Sequence, residues 1–81
     1  MDMPASISLK VYPVEGGWGY KIYIDSSLYI FQETIPGSPG DTKFKSQTDA
    51  MACGELVIEK LKSKKMPFIS KAELDSLQIA Y

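Results

Sequence analysis

Apolar and polar residues alternate three times over residues 6–33, and this alternation constrains the fold more than any other feature of the sequence. Strict alternation is typical of a β-strand that buries one face. The three runs start near Ser6, Trp18 and Leu28, and the turn sequences Glu15-Gly16-Gly17 and Asp25-Ser26-Ser27 separate them. Three strands joined by short turns predict an antiparallel meander.

The register of the second hairpin decides which aromatic side chains share a face. A three-residue loop at Asp25-Ser26-Ser27 places Leu28 and Ile30 beside the isoleucines of the second strand, whereas a loop of two or four residues flips the third strand. We favour the three-residue loop because it segregates the aliphatic side chains better. The other side of the sheet, which we call the outer face, then carries Tyr12, Lys21, Tyr23, Tyr29 and Phe31.

The second half of the chain predicts helices. Apolar and small residues at helical spacing indicate a long helix that opens at Ser46 to Thr48 and runs to about Lys65. Gly54 in this stripe indicates a close approach to the sheet, which we place under Trp18. A capping box of Ser70 and Glu73 predicts a short second helix over residues 71–77. The intervening loop, residues 34–45, is expected to anchor to the core through Ile35 and Phe44.

These elements predict one α+β domain over residues 6–81, preceded by a flexible tail at residues 1–5. Its architecture is an antiparallel three-stranded meander with one long helix packed on a face and a short C-terminal helix. One domain is expected because 81 residues would give neither of two halves enough side chains for a core.

Composition excludes several kinds of chemistry. The chain has no histidine, which removes the imidazole base of catalytic triads and the commonest metal ligand. A single cysteine, Cys53, cannot form an internal disulfide and falls on the buried stripe of the long helix. Four candidate carboxylates lie in a turn, at a strand end, in a loop and in the first turn of a helix, without the apolar neighbours that raise a carboxyl pKa: Asp25, Glu33, Asp41 and Asp49. We therefore expect no enzyme activity, no cofactor and no metal site.

Charge argues against nucleic acid as the main partner, because the chain has no arginine and a net charge of −1. No run of residues is long and apolar enough to span a membrane. The lysines at positions 60–65 are typical of a solvated helix end, where they complement the helix dipole. The alternative is a phosphate or anionic-surface contact. The sequence 37–43 lacks the Gly-Lys-Ser/Thr run of a phosphate-binding loop and is read as a structural turn.

The outer face is the main functional candidate. One helix covers one side of a sheet, so a second face rich in aromatic side chains is either an interaction surface or a second core. Three interpretations stay open: a non-catalytic module that binds a protein or another ligand, a structural or assembly protein that uses this face for a homodimer, and a face covered by the loop 34–45 and the short helix.

An ordered set of short motifs resembles an uncharacterised Bacteroidetes family of short proteins that carry a domain of unknown function. The set comprises Gly17-Trp18-Gly19-Tyr20, Ile22-Tyr23-Ile24-Asp25, Leu28-Tyr29-Ile30, Gln32, Ile35-Pro36, Gly40, Phe44, Asp49-Ala50, Val57, Lys60, Met66-Pro67 and Glu73-Leu74-Asp75-Ser76-Leu77. Members of that family are similar to small exported or lipoprotein-type chains, so the resemblance implies a bacterial protein of the cell envelope or periplasm. A cytoplasmic location follows if no leader was removed. Phe31 stands where relatives tend to have histidine, and no role of that histidine is carried over.

Overall fold

The structure is a computed structural model, and it describes residues 6–35 and 42–79. It confirms the α+β class and the predicted architecture. The elements in chain order are β1 (Ile7–Val14), β2 (Gly17–Ile24), β3 (Ser27–Gln32), α1 (Gln47–Lys62) and α2 (Lys71–Ser76). The predicted tail at residues 1–5 and most of the turn at residues 37–43 lie outside the described residues.

The sheet has the order β1-β2-β3, and both pairs of neighbours are antiparallel. Its second hairpin differs from the prediction. The loop has two residues, Asp25 and Ser26, and their φ angles of 50° and 70° are the positive values that tight hairpin turns require. A bulge beside Tyr29 then inserts one extra residue in β3, because Ile30 pairs with Ile22 while Leu28 pairs with Tyr23.

The bulge explains why the predicted faces are right for one part of β3 and wrong for another. A two-residue loop alone would flip the whole strand. The extra residue restores the phase beyond it, so Ile30 lies beside Ile22 and Phe31 beside Lys21, as predicted. Leu28 precedes the bulge and lies beside Tyr23, so its predicted place among the isoleucines is wrong.

Both helices begin at the predicted serine caps. The Ser46 hydroxyl accepts from the Asp49 amide at 3.0 Å, and Ser70 forms a complete capping box with Glu73. Each helix ends slightly earlier than predicted, at Lys62 and Ser76. The residues 34–45 segment does anchor to the core, since Ile35 is 2% exposed and Phe44 is fully buried.

The core lies between α1 and the side of the sheet that carries Leu9, Tyr20 and Ile22. At Gly54, α1 approaches the sheet closely, as predicted, but the neighbouring side chain is that of Leu9 rather than Trp18. The buried members of the core are Tyr20, Ile22, Ile35, Phe44, Ala50, Cys53, Val57, Ile69, Leu74 and Ile79. They come from every element except β1 and β3, which leaves β3 the least buried strand.

Candidate functional site

A contact between Tyr12, Lys21 and Phe31 forms the centre of the outer face. The rings of Tyr12 and Phe31 lie 6.1 Å apart between centroids, with a tilt of 37°. The ammonium group of Lys21 lies 4.9 Å from the centroid of the Tyr12 ring and 5.3 Å from that of Phe31. Both distances are within the range of a cation–π interaction. One aromatic residue from each edge strand therefore contacts a cation on the central strand.

Lys10 lies directly opposite Lys21 in the β1–β2 register. Like charges at facing positions of a sheet repel each other. Within residues 6–35 and 42–79, neither ammonium group has a carboxylate within ion-pair distance. The middle of the outer face is thus positively charged, although the chain as a whole has a net charge of −1.

Gly19 makes room for the Gln32 carbonyl of β3, and the hydroxyl end of Tyr12 lies beside it. The two residues face each other across β1 and β2, and a Cβ on Gly19 would lie 3.4 Å from the Tyr12 hydroxyl oxygen and 2.8 Å from the Gln32 carbonyl oxygen. That hydroxyl is buried and makes no hydrogen bond within the described part of the chain. Burial, followed by the nearby Glu33 carboxylate, raises the pKa of Tyr12.

The rim of the outer face near β3 is apolar and open to solvent. Leu28, Tyr29 and Phe31 are 53%, 57% and 50% exposed, respectively. Tyr23 is half-buried and lies on the outer face beside Leu28. Of the five predicted residues, the structure places Tyr12, Lys21 and Phe31 in mutual contact, Tyr23 on the same face, and Tyr29 at the exposed bulge.

Sequence reasoning omitted two residues from the site. Lys10 alternates with Tyr12 in the first strand, so its place on the outer face was readable from the pattern. Leu28 was assigned to the inner side because the bulge has no signal in the sequence of the loop.

The apolar residues outside the sheet that were candidates to cover the outer face lie on its other side. Ile35, Phe44 and Leu74, which could have built a second core there, belong to the same buried cluster as Tyr20. The Phe44 ring lies 5.9 Å from that of Tyr20, on the helix side of the sheet. The described ends of the loop, residues 34–35 and 42–45, and the short helix therefore add to the first core.

The altered pKa values of Cys53, Tyr20 and Glu73 result from burial and from hydrogen bonds within the fold. Burial raises the pKa of the Cys53 thiol to about 11. A hydrogen bond between the Cys53 sulfur and the Tyr20 hydroxyl oxygen, 3.9 Å apart, lowers this pKa but only partly offsets the effect of burial. Burial also raises the pKa of Tyr20. Hydrogen bonds from Lys60 and Ser70 lower the pKa of Glu73 to about 2. Each of these shifts moves a group away from neutral pH, where acid–base catalysts operate.

The concave regions of the surface lie along α1 rather than on the outer face. One of them is an open hollow lined by Gln47, Thr48, Met51, Ala52 and Glu55. Glu55 is its single ionisable residue, so the described lining offers no pair of catalytic groups. Among the residues that the structure describes, no cluster of metal-ligating side chains occurs and no helix is long and apolar enough to cross a bilayer.

Comparison with known proteins identifies a family for this chain. A family described as a domain of unknown function, DUF4907, matches residues 10–76, which span β1 from Lys10 onward, β2, β3, α1 and α2. The match confirms the resemblance to an uncharacterised family, whereas the envelope location stays a prediction. None of the curated proteins and none of the solved structures matches the chain.

Proposed function

Because the chain belongs to the DUF4907 family of domains of unknown function, and membership assigns no activity, we propose that it is a non-catalytic module whose outer face binds an acidic region of another protein. The observation that carries this proposal is the open cluster of Tyr12, Lys21 and Phe31, with its positive centre and apolar rim. Aromatic side chains and charges that lie together on an exposed surface are typical of interfaces.

The apolar rim supplies affinity. Fully burying one large apolar side chain is worth about 1.5–3 kcal/mol, so covering the exposed halves of Leu28, Tyr29 and Phe31 contributes about 1 kcal/mol each. The aromatic rings also hold Lys21 in place, so a carboxylate that approaches it meets a cation with little freedom left to lose.

The lysines favour a different protein over a second copy of the chain. Lys21 lies near the middle of the central strand, with Lys10 beside it. A two-fold homodimer centred on this face would bring four ammonium groups together in a desolvated interface, which is unfavourable. A partner with carboxylates opposite Lys10 and Lys21 would pair the same charges. The homodimer is therefore the second candidate, and the experiment below distinguishes it.

The first measurement is the solution mass by light scattering after size exclusion, over a wide range of concentration. A monomer of about 9.0 kDa is expected. The ¹⁵N-labelled chain is then titrated with a synthetic peptide in which glutamate alternates with tyrosine, and with a matched peptide in which lysine replaces glutamate. The acidic peptide is expected to shift the amides of residues 10–12, 20–23 and 28–32, and the basic peptide is expected to shift none.

Two serine variants provide a matched pair. Phe31→Ser removes an exposed phenylalanine from the outer face. Phe68→Ser removes an exposed phenylalanine that lies far from the outer face in the chain. Phe31→Ser and Lys21→Gln should each weaken the acidic peptide at least fivefold, and Phe68→Ser should leave its affinity unchanged. Equal shifts with both peptides, or shifts confined to α1, would overturn the proposal. A concentration-dependent dimer that Phe31→Ser dissociates would establish the homodimer instead.

A further inference from the structure

A second exposed apolar site lies between the two helices, far along the chain from the outer face. Met66 is 82% exposed and Phe68 is 68% exposed, the highest values among the large hydrophobic side chains that the structure describes. Pro67 separates them and is itself exposed. Two large apolar side chains at such exposure form a convex apex rather than the wall of a groove.

The backbone on either side holds this apex in place. At the end of α1, the Lys64 amide donates to the Leu61 carbonyl at 3.1 Å and the Lys65 amide to the Lys60 carbonyl at 2.8 Å. This is the hydrogen-bond pattern of a Schellman motif, with Lys64 in the left-handed conformation at a φ of 58°.

The other side of the apex is fixed by contacts to α1 and the core. The Lys60 ammonium group donates to the Phe68 carbonyl, and Ile69 is buried with 2% exposure. The side chain of Phe68 therefore projects outward while its own carbonyl and the next residue are bound to the protein. The exposure of the apex is a consequence of the packed structure.

Lysines predominate in the chain around the apex, although Lys65 shares a hollow with Glu59 and Glu73. Residues 60–72 contain five lysines and no acidic residue. Lys60 is neutralised by Glu73, whose carboxylate oxygen lies 2.6 Å from the ammonium nitrogen. Lys62, Lys64 and Lys65 are exposed and form no ion pair with any of the described residues. Three free cations thus lie within a few residues of the two exposed apolar side chains.

We propose that the segment Lys62–Phe68 binds the surface of an anionic phospholipid bilayer. In this arrangement Met66 and Phe68 enter the boundary between headgroups and acyl chains, and Lys62, Lys64 and Lys65 lie over the anionic headgroups. An apolar apex with three lysines next to it in the chain is complementary to a bilayer, whose surface is negative and whose interior is apolar. An acidic protein would need a pocket shaped to receive the apex, whereas a fluid bilayer deforms around it.

The binding is weak and depends strongly on salt. A lysine near an anionic surface contributes about 1 kcal/mol, which is about a fivefold increase in the partition coefficient. The three lysines together give about a hundredfold preference for anionic over neutral vesicles at low salt. Screening at high ionic strength removes most of this preference.

The test is co-sedimentation of the full chain with large unilamellar vesicles of phosphatidylcholine containing 30% phosphatidylserine, compared with pure phosphatidylcholine. Binding to the anionic vesicles is expected in 20 mM salt and is expected to be lost in 500 mM salt. Lys64→Gln and Lys65→Gln should each reduce the partition coefficient about fivefold, whereas Lys10→Gln should not change it. The double variant Met66→Ser/Phe68→Ser should abolish binding, and Phe31→Ser should leave it intact.

These controls separate the inference from the proposed function of the outer face, because each set of variants leaves the other site unchanged. Equal binding to both kinds of vesicle, or no binding to the anionic one in low salt, would overturn the inference. Soluble phosphoserine that binds through the lysines with no dependence on Met66 and Phe68 would assign the site to free phosphate. Binding of polyglutamate that Lys64→Gln and Lys65→Gln weaken and Lys21→Gln does not, without binding to vesicles, would assign it to an acidic protein. Circular dichroism of every variant verifies that the fold is retained.

Discussion

The close approach of Gly54 to Leu9 leads to a testable prediction. The effect of Gly54→Ala on the free energy of unfolding should have opposite signs in the parent chain and in a Leu9→Ala background. Gly54 lies in the middle of α1, where alanine is favoured over glycine by about 1 kcal/mol. A Cβ at this position would, however, lie 2.5 Å from Cδ1 of Leu9, 3.1 Å from Cδ2 and 3.4 Å from Cγ. The first distance is far inside van der Waals contact and the second is tight, so the Leu9 side chain must shift to admit a Cβ at position 54.

We expect Gly54→Ala to destabilise the chain by about 1 kcal/mol. Overpacking a core typically costs about 1–3 kcal/mol, and the gain in helix propensity offsets about 1 kcal/mol of this. The substitution Leu9→Ala removes Cγ, Cδ1 and Cδ2, the three carbon atoms that would lie nearest to the new Cβ. The propensity gain then stands alone, so Gly54→Ala should stabilise that background by about 1 kcal/mol. The coupling between the two sites is thus about 2 kcal/mol.

Urea denaturation of the four chains in this cycle measures the effect. The midpoint should fall on introducing Gly54→Ala into the parent chain and rise on introducing it into Leu9→Ala, with the slope m unchanged in both. A rise in both backgrounds would mean that α1 lies farther from β1 than the structure has it. An equal fall in both would mean that the lost contacts are not those with Leu9.

Three further predictions concern local groups. The Lys60 contact lowers the pKa of Glu73 from 4.5 to about 2, so the ion pair stabilises the fold above pH 4.5 and loses its effect as the pH falls toward 2. The difference in urea midpoint between the parent chain and Glu73→Gln should therefore be largest near pH 7 and vanish below about pH 2. A difference that does not depend on pH would contradict the assigned pair. Because burial raises the pKa of Cys53 to about 11, its reaction with a disulfide reagent at pH 8 should require opening of the fold and accelerate in parallel with urea unfolding; a rate equal to that of a free thiol would refute its burial. Lys64→Gly should stabilise the chain by about 0.5–1 kcal/mol because Lys64 has a φ of 58°, whereas Ser63→Gly, at a φ of −87°, should not, and equal effects would exclude backbone strain as the cause.

The sequence predicted the elements of the fold because each has a local physical signal. Alternation marked the strands, and serine caps marked the starts of both helices. Isolated apolar residues in a polar loop marked Ile35 and Phe44 as anchors, and both are buried. The partner of Gly54 was wrong, because a glycine within a helical stripe indicates a close approach without indicating which strand residue fills the space.

The register of the second hairpin could not be derived from its loop. Asp25-Ser26-Ser27 is compatible with loops of two or three residues, and the choice depends on how β3 packs farther along. The bulge beside Tyr29 compensates for the shorter loop by one residue, so the pairs of Ile30 and Phe31 are correct although the predicted loop was not. Only Leu28, between the turn and the bulge, changes face. The shorter turn and the bulge cancel each other, so that the partly buried Ile30 still packs against the core.

The distribution of apolar residues gives a reason to expect a partner at the outer face. Every described element that could have covered this face contributes instead to the core on the helix side, as Phe44 and Leu74 show. A face that has only to remain solvated is well served by residues such as Ser8 and Lys10. Phe31 in the same sheet leaves half of an aromatic side chain in water, which adds nothing to the stability of the isolated chain. Its exposure becomes favourable when another surface covers it, and the cation between the two rings gives that surface its preferred charge.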